Sequence, residues 1–288
     1  GTGAKVAEAF VHLCAAGLGP RRAHLLVIDA DSRNGNLHRA LATIDDYQKM
    51  QRWPWAVTAS FGGVFGMGKK QASVDLFRTE ITVSTVTVPI ETTDDGARDL
   101  VTAAASDPGL RQAIDLFYDL DEQQARNDDG FRARPNLGCL LLADHLGKRL
   151  PTDARPFLDA LRAARGRVPV VVTASVFGGT GASLLPTARG VMERALRDLG
   201  MPRDALERLD WAAAMVLPHY LPQKRVESVD PDRYLLDTAN ALQFYGTLQK
   251  AAELAADSGS HAAPRWAFDA VYLVGSETPE RHRVGPKL

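Results

Sequence analysis

The sequence predicts an α/β protein in three layers, a mostly parallel sheet with helices on both faces. Two observations carry that expectation. Short apolar runs rich in β-branched residues recur at 24–28, 81–88, 168–175, 210–217 and 268–274, with helical periodicity in most of the stretches between them. Strands that alternate with helices pair in parallel, because a parallel pair needs a long crossover and a helix supplies it. The run Val168–Ser175 also passes directly into the glycine-rich stretch Val176–Ser183 and then into a helical stripe. This is a strand, a tight turn and a helix, the repeating unit of a Rossmann-like sheet.

Taken in order, Gly1-Thr-Gly-Ala-Lys5 runs into Val6, Ala7, Phe10, Val11 and Cys14, an apolar helical stripe that ends near Gly17-Leu-Gly-Pro20. A glycine turn feeding a helix normally follows a strand, so the first strand of the domain is expected to be missing from these residues. His24–Ile28 is the next strand and ends in Asp29-Ala-Asp31, two carboxylates at the edge where open α/β sheets bind ligands. Residues 37–52 read as a polar helix, and 53–68 as an irregular loop containing Trp53 and Trp55, which are expected to pack that loop. Ile81–Val88 is a strand closed by Pro89. Residues 96–126 read as mostly helical with a break at Asp107-Pro-Gly109, and Asn127–Gly130 as a turn.

Pro135-Asn-Leu-Gly138 reads as a loop before an apolar helix at 139–145, with another helix at about 154–164. After Val168–Ser175, Leu184, Leu185, Ala188, Val191, Met192, Ala195 and Leu199 recur at helical spacing, and Gly200 stops the helix. A short helix from Arg203, a strand at 210–217, a proline-marked loop, a long helix at 234–256 and a strand at 268–274 complete the pattern.

The 288 residues carry a net charge of −1, which argues against general nucleic-acid affinity. No apolar run is long enough to span a bilayer, and no signal peptide is visible, so a cytoplasmic protein is expected. Cys14 and Cys139 sit in apolar helical patterns and read as buried thiols. The histidines show no metal-ligand spacing, and no Ser-His-Asp or Cys-His grouping stands out.

The strongest chemical signal is Gly178-Gly-Thr-Gly-Ala182. The backbone can bend sharply at glycines, and the free N–H groups of the following helix point into the turn. An anion site for phosphate is expected there, with Thr180 adding a hydroxyl. Gly1-Thr2-Gly3 with Asp29 or Asp31 is a second candidate, arranged as in dinucleotide sites. Gly63–Lys70 fits a phosphate loop only superficially, since Lys70 stands where the magnesium-binding Ser or Thr belongs; a surface loop is the better reading.

Four segments occur in a recognisable order: Gly1-Thr-Gly-Ala4, Asp29-Ala-Asp31, Gly130…Pro135-Asn-Leu-Gly138, and Phe177-Gly-Gly-Thr-Gly-Ala-Ser183. Together they resemble the nucleotide-binding domain of the tubulin/FtsZ superfamily, in a divergent bacterial form. That family carries a first glycine loop, an Asn-Thr-Asp turn, a Pro-x-x-Gly loop and a GGGTGTG signature. The resemblance covers most of a single domain spanning 1–288, with a divergent or inserted region at roughly 45–129. It implies GTP or GDP held by Gly1, Thr2, Gly3, Gly178, Gly179, Thr180, Gly181 and Ala182. It also implies Asp29 and Asp31 near the phosphates and a Mg2+ ion, and Asn240 as a ribose or base contact. Self-association into filaments or a scaffold follows from it, as does GTP hydrolysis only on assembly. In that family a neighbouring subunit's C-terminal part activates the water, so no catalytic residue is named among these 288, and a C-terminal domain is expected beyond them.

The sequence departs from the family at Phe177, where a glycine stands, at Ala182-Ser183 in place of Thr-Gly, and at Lys5 in place of asparagine. Two other readings stay open: an NAD(P)- or FAD-binding oxidoreductase using Gly1–Gly3 and Asp29, and an interaction module that keeps the fold without nucleotide.

Overall fold

The structure is a computed structural model that describes residues 2–30, 35–52, 76–87, 108–117, 120–123, 135–218, 220–221, 231–257, 268–275 and 280–281. The elements, in chain order, begin with α1 (Thr2–Ala15), β1 (Arg22–Asp29), α2 (Gly35–Gln51) and β2 (Glu80–Thr87). There follow α3 (Pro108–Phe117), α4 (Leu120–Gln123), α5 (Pro135–Asp153), α6 (Arg155–Ala163), β3 (Val168–Ser175) and α7 (Gly179–Asp198). The remainder is α8 (Arg203–Leu206), β4 (Leu209–Val216), β5 (Tyr220–Leu221), α9 (Pro231–Asp257), β6 (Ala270–Val274) and β7 (Glu280–Arg281).

Every strand pair among the described residues is parallel. β1 pairs with β2 from Arg22↔Glu80 to Asp29↔Thr87. β3 pairs with β4 from Val168↔Leu209 to Ser175↔Val216, and β4 with β6 from Ala212↔Ala270 to Val216↔Val274. A short pair, β5 with β7, joins Tyr220 to Glu280. The architecture is the expected Rossmann-like α/β arrangement of helices and parallel strands in open sheets.

Alternation along each strand sorts the two faces. On one face Leu26 and Ile28 of β1, Val86 of β2, Val170 and Ala174 of β3, and Trp211, Ala213 and Met215 of β4 join one core with α5, α6 and α7. Leu142, Leu146, Leu150, Leu158 and Leu196 are fully or almost fully buried there. Each such side chain contributes about 1.5–3 kcal/mol of burial. On the other face Ala23, Leu25, Ile81 and Val83 pack against Val11 and Cys14 of α1 and Ile44 and Tyr47 of α2.

α1 runs against the strand direction. Near its start, Gly3 lies beside the Thr173 carbonyl, late in β3; near its end, the Ala15 carbonyl accepts the Phe77 N–H at 3.3 Å, just ahead of β2. The C-terminal ends of the β1–β2 and β3–β4–β6 sheets therefore lie on the same side. Gly17 and Gly200, with φ of 78° and 82°, end α1 and α7 in the left-handed conformation. There Leu18 N–H reaches Leu13 O and Met201 N–H reaches Leu196 O, satisfying carbonyls that the helices leave open.

The expected strands and main helices are present, with shifts at their ends. Pro135-Asn-Leu-Gly138, expected as a loop, is the first turn of α5, because proline's fixed φ suits the first helical position. Pro108 starts α3, and residues 96–107 and 124–126 of the stretch expected to be mostly helical lie outside the described residues. The glycine stretch is shorter than expected, since Gly179 is already helical. Trp53, Trp55, Gly63–Lys70 and Asn127–Gly130 lie outside the described residues.

Candidate functional site

β3 ends in a buried Ala174-Ser175-Val176, and the Val176 N–H carries the ladder one step further by bonding Val216 O at 3.1 Å. The chain then turns within Phe177 and Gly178 and enters α7. Gly178 is extended, at φ −96° and ψ 152°, a conformation open to any residue. Its glycine is explained by contact instead: a Cβ there would sit 2.8 Å from Ser175 Oγ. At Gly181 a Cβ would meet Ser175 O at 2.7 Å and Ser175 N at 3.0 Å. Two glycines of the signature thus let the first turn of α7 lie directly on the end of β3. At 178 and 181 a side chain would collide with Ser175, so packing inside the turn itself requires these two glycines.

The turn they produce suits an anion. The first turn of α7 holds no acidic residue and no side-chain cap, so its N–H groups and positive dipole end stay available at Gly179, Thr180 and Gly181. Thr180 is half-buried beside them. Ala182 N–H bonds Gly178 O at 3.0 Å, and the Ser183 hydroxyl donates to Gly179 O at 2.6 Å, which fixes the turn.

Three further elements meet this corner. α1 brings its own amino end, likewise without an acidic residue, and places Gly3 where a Cβ would be 3.8 Å from Thr173 O. That is ordinary contact, so Gly3 is not sterically required. Thr2 is half-buried and Gly3 exposed. α5 lies along α7, and the Cys139 thiol, one residue after Pro135–Gly138, donates to Ser183 O at 3.4 Å. α9 reaches the corner through Tyr245, whose hydroxyl donates to Ala182 O at 2.6 Å. Burial raises the Tyr245 phenol and pushes the Cys139 thiol up to about 12, so both are neutral donors here.

Of the expected site residues, Thr2, Gly3, Gly178, Gly179, Thr180, Gly181 and Ala182 are gathered at the C-terminal edge of β3. Asp29 stands at the same edge, half-buried, as the last residue of β1, which is not bonded to β3. Asn240 is exposed on α9, next to the buried Ala241 and about a turn and a half before Tyr245. Gly1 and Asp31 lie outside the described residues. Lys5, the departure from the family's asparagine, bonds Glu8 at 2.9 Å, and Arg39 of α2 bonds the same carboxylate at 3.0 Å. Lys5 first and then Arg39 hold the Glu8 carboxyl below its ordinary range.

Sequence reasoning missed Ser175 and Tyr245. In the sequence Ser175 carries no signal beyond closing a strand. Tyr245 carried a signal, since Ala241 and Tyr245 recur at helical spacing on one face of the long helix.

Among the described residues no group of three or more His, Cys, Asp or Glu could hold a metal ion, and no helix is long and apolar enough to cross a membrane. The fold and site define a class: an open, parallel α/β protein with two helix amino ends meeting at the C-terminal edge of one strand. Comparison with protein-family models, with curated proteins and with solved structures finds no match to this chain. The resemblance to the tubulin/FtsZ superfamily therefore rests on the four sequence segments and their order.

Proposed function

We propose that this chain binds a guanine nucleotide at the corner formed by α1 and α7, as a tubulin/FtsZ-like protein. The observation that carries the reading is the meeting of two acid-free helix amino ends, Thr2–Gly3 and Gly179–Ala182, at the end of β3. Two positive dipole ends directed at one corner favour a polyanion such as a di- or triphosphate. The guanine base, Mg2+ near Asp29 and Asp31, and a sugar or base contact from Asn240 come from the family resemblance. Assembly into filaments or a scaffold, hydrolysis on assembly and a cytoplasmic setting belong to the same reading. With a net charge of −1, nucleic acid is not the expected partner.

The test is a titration with fluorescent GTP, competed by unlabelled GTP, ATP and NAD, with and without Mg2+. It is run on the wild type and on Gly179→Asp, which sets a carboxylate among the N–H groups of α7. Competition by GTP alone, lost in the variant, supports the proposal, and sedimentation with GTP then tests assembly. Competition by NAD moves the assignment to a dinucleotide enzyme. No binding by the folded protein leaves an interaction module that keeps the fold without nucleotide.

A further inference from the structure

The start of α7 is held by side chains that donate to its carbonyls. The Ser183 hydroxyl donates to Gly179 O at 2.6 Å, the Tyr245 hydroxyl of α9 to Ala182 O at 2.6 Å, and the Cys139 thiol of α5 to Ser183 O at 3.4 Å. The Thr187 hydroxyl also reaches Ser183 O, at 3.1 Å. The Tyr245 bond is the one that the helix cannot replace from its own backbone. Pro186 stands four residues after Ala182 and has no N–H, so a residue 63 positions away closes the turn instead.

α9 rests on the core through one stripe. Thr238, Ala241 and Tyr245 are buried at helical spacing, while Leu236 and Phe244 are 57% and 40% exposed. Tyr245 therefore serves two purposes: its ring packs in the core that α7 shares, and its hydroxyl fixes Ala182 O. Ala182 follows directly on Gly179, Thr180 and Gly181, whose N–H groups form the proposed anion site. The first turn of a helix has no backbone bonds upstream of it, and helix ends fray. α7 has no side-chain cap to prevent this. Order in the turn comes from contacts behind it, Ser175 beneath Gly181 and Tyr245 on Ala182 among them.

We propose that Tyr245 is a positioning residue for the anion site. Its bond to Ala182 O couples α9 to the first turn of α7, so that polyphosphate binding at Gly179–Gly181 and docking of α9 strengthen each other. The inference rests on the reading of that corner as an anion site. A ligand that orders the turn also steadies the bond, and through it α9. Loss of the bond lowers the fraction of molecules whose turn is ready to bind, and the apparent affinity falls by that fraction.

The probe is inorganic triphosphate, a polyanion without a base, with affinity measured by calorimetric titration. Four proteins are compared: the wild type, Tyr245→Phe, Tyr245→Phe combined with Pro186→Ala, and Ile44→Val. The last trims a buried side chain of α2 outside the core that α7 and α9 share, so it lowers stability without touching the turn. Tyr245→Phe should bind triphosphate at least about fivefold more weakly than the wild type, the lower end of typical couplings between sites. Ile44→Val should bind as the wild type does. The double variant should recover much of the affinity, because the alanine returns a backbone N–H to Ala182 O.

Coupling is reciprocal, so triphosphate should slow amide exchange in α9 around Tyr245 in the wild type and in neither protein that carries Tyr245→Phe. Four results overturn the inference and leave the anion site standing: unchanged affinity in Tyr245→Phe, an equal loss in Ile44→Val, α9 exchange in the wild type that triphosphate does not alter, or an α9 that still responds without the hydroxyl. The wild-type exchange measurement decides the matter even where Tyr245→Phe fails to fold. Absence of triphosphate binding by the folded wild type overturns the anion reading and this inference together.

Discussion

The Tyr245 hydroxyl donates to the carbonyl oxygen of Ala182 at 2.6 Å, and both groups are buried. Pro186 explains why. In an α-helix the Ala182 carbonyl would accept the N–H four residues on, and residue 186 is a proline with no N–H to give. The phenol of α9 supplies the missing donor at the first turn of α7. Tyr245→Phe should therefore cost about 1–3 kcal/mol, the penalty for leaving a buried carbonyl unsatisfied. Pro186→Ala in the same protein restores a backbone donor and should recover part of that loss. Urea unfolding of both variants measures it, and a Tyr245→Phe protein as stable as wild type would rule out this account.

Gly181 and Gly3 should respond oppositely to alanine. Both lie in helical first turns, where replacing glycine by alanine gains up to about 1 kcal/mol. At Gly181 the new Cβ meets the Ser175 backbone at 2.7 Å, which cannot move without shifting β3. The expected net effect is a loss of about 1–3 kcal/mol. At Gly3 the nearest atom is 3.8 Å away, and stability should hold or rise. Thermal melts of the two variants decide the point.

Arg189 and Glu193 form a 2.9 Å ion pair with both side chains 9% exposed, while Arg189 also lies 5.8 Å from the Trp211 ring and 3.9 Å from Asp269. Glu193→Ala leaves a buried guanidinium with a more distant carboxylate, and a loss of about 3–5 kcal/mol is expected. Replacing both partners by apolar residues should cost less than the single change, since no charge then stays buried. A double-mutant cycle in urea separates the two cases. The exposed Arg167–Asp210 pair at the start of β3 serves as the control, with a much smaller expected effect.

Cys139 gives a pH dependence with a definite sign. Burial opposes the thiolate and raises the folded thiol from its ordinary 9.0 to about 12. The folded protein then binds the proton more tightly than the unfolded chain does. This contribution is complete below pH 9 and is lost as pH rises from 9 towards 12. Stability measured across that window should fall, and Cys139→Ala should flatten part of the slope. In the native protein at pH 8, iodoacetamide should label Cys139 far more slowly than after unfolding.

What the sequence by itself determined is the set of elements and their order. Val168–Ser175 is legible as a strand because β-branched residues fill a pleated, half-buried surface, and the stripe from Leu184 to Leu199 as a helix because its period is 3.6. The glycine stretch is legible as a tight strand-to-helix turn. Only the tertiary structure places Ser175 against Gly178 and Gly181. Sequence spacing could not bring Tyr245 to Ala182, 63 residues apart. Nor could it show that α1 and α7 present their amino ends at one corner of β3. Local periodicity reports which face of an element is buried; which elements share that burial is set by packing between distant parts of the chain, and only the assembled sheet contains that information.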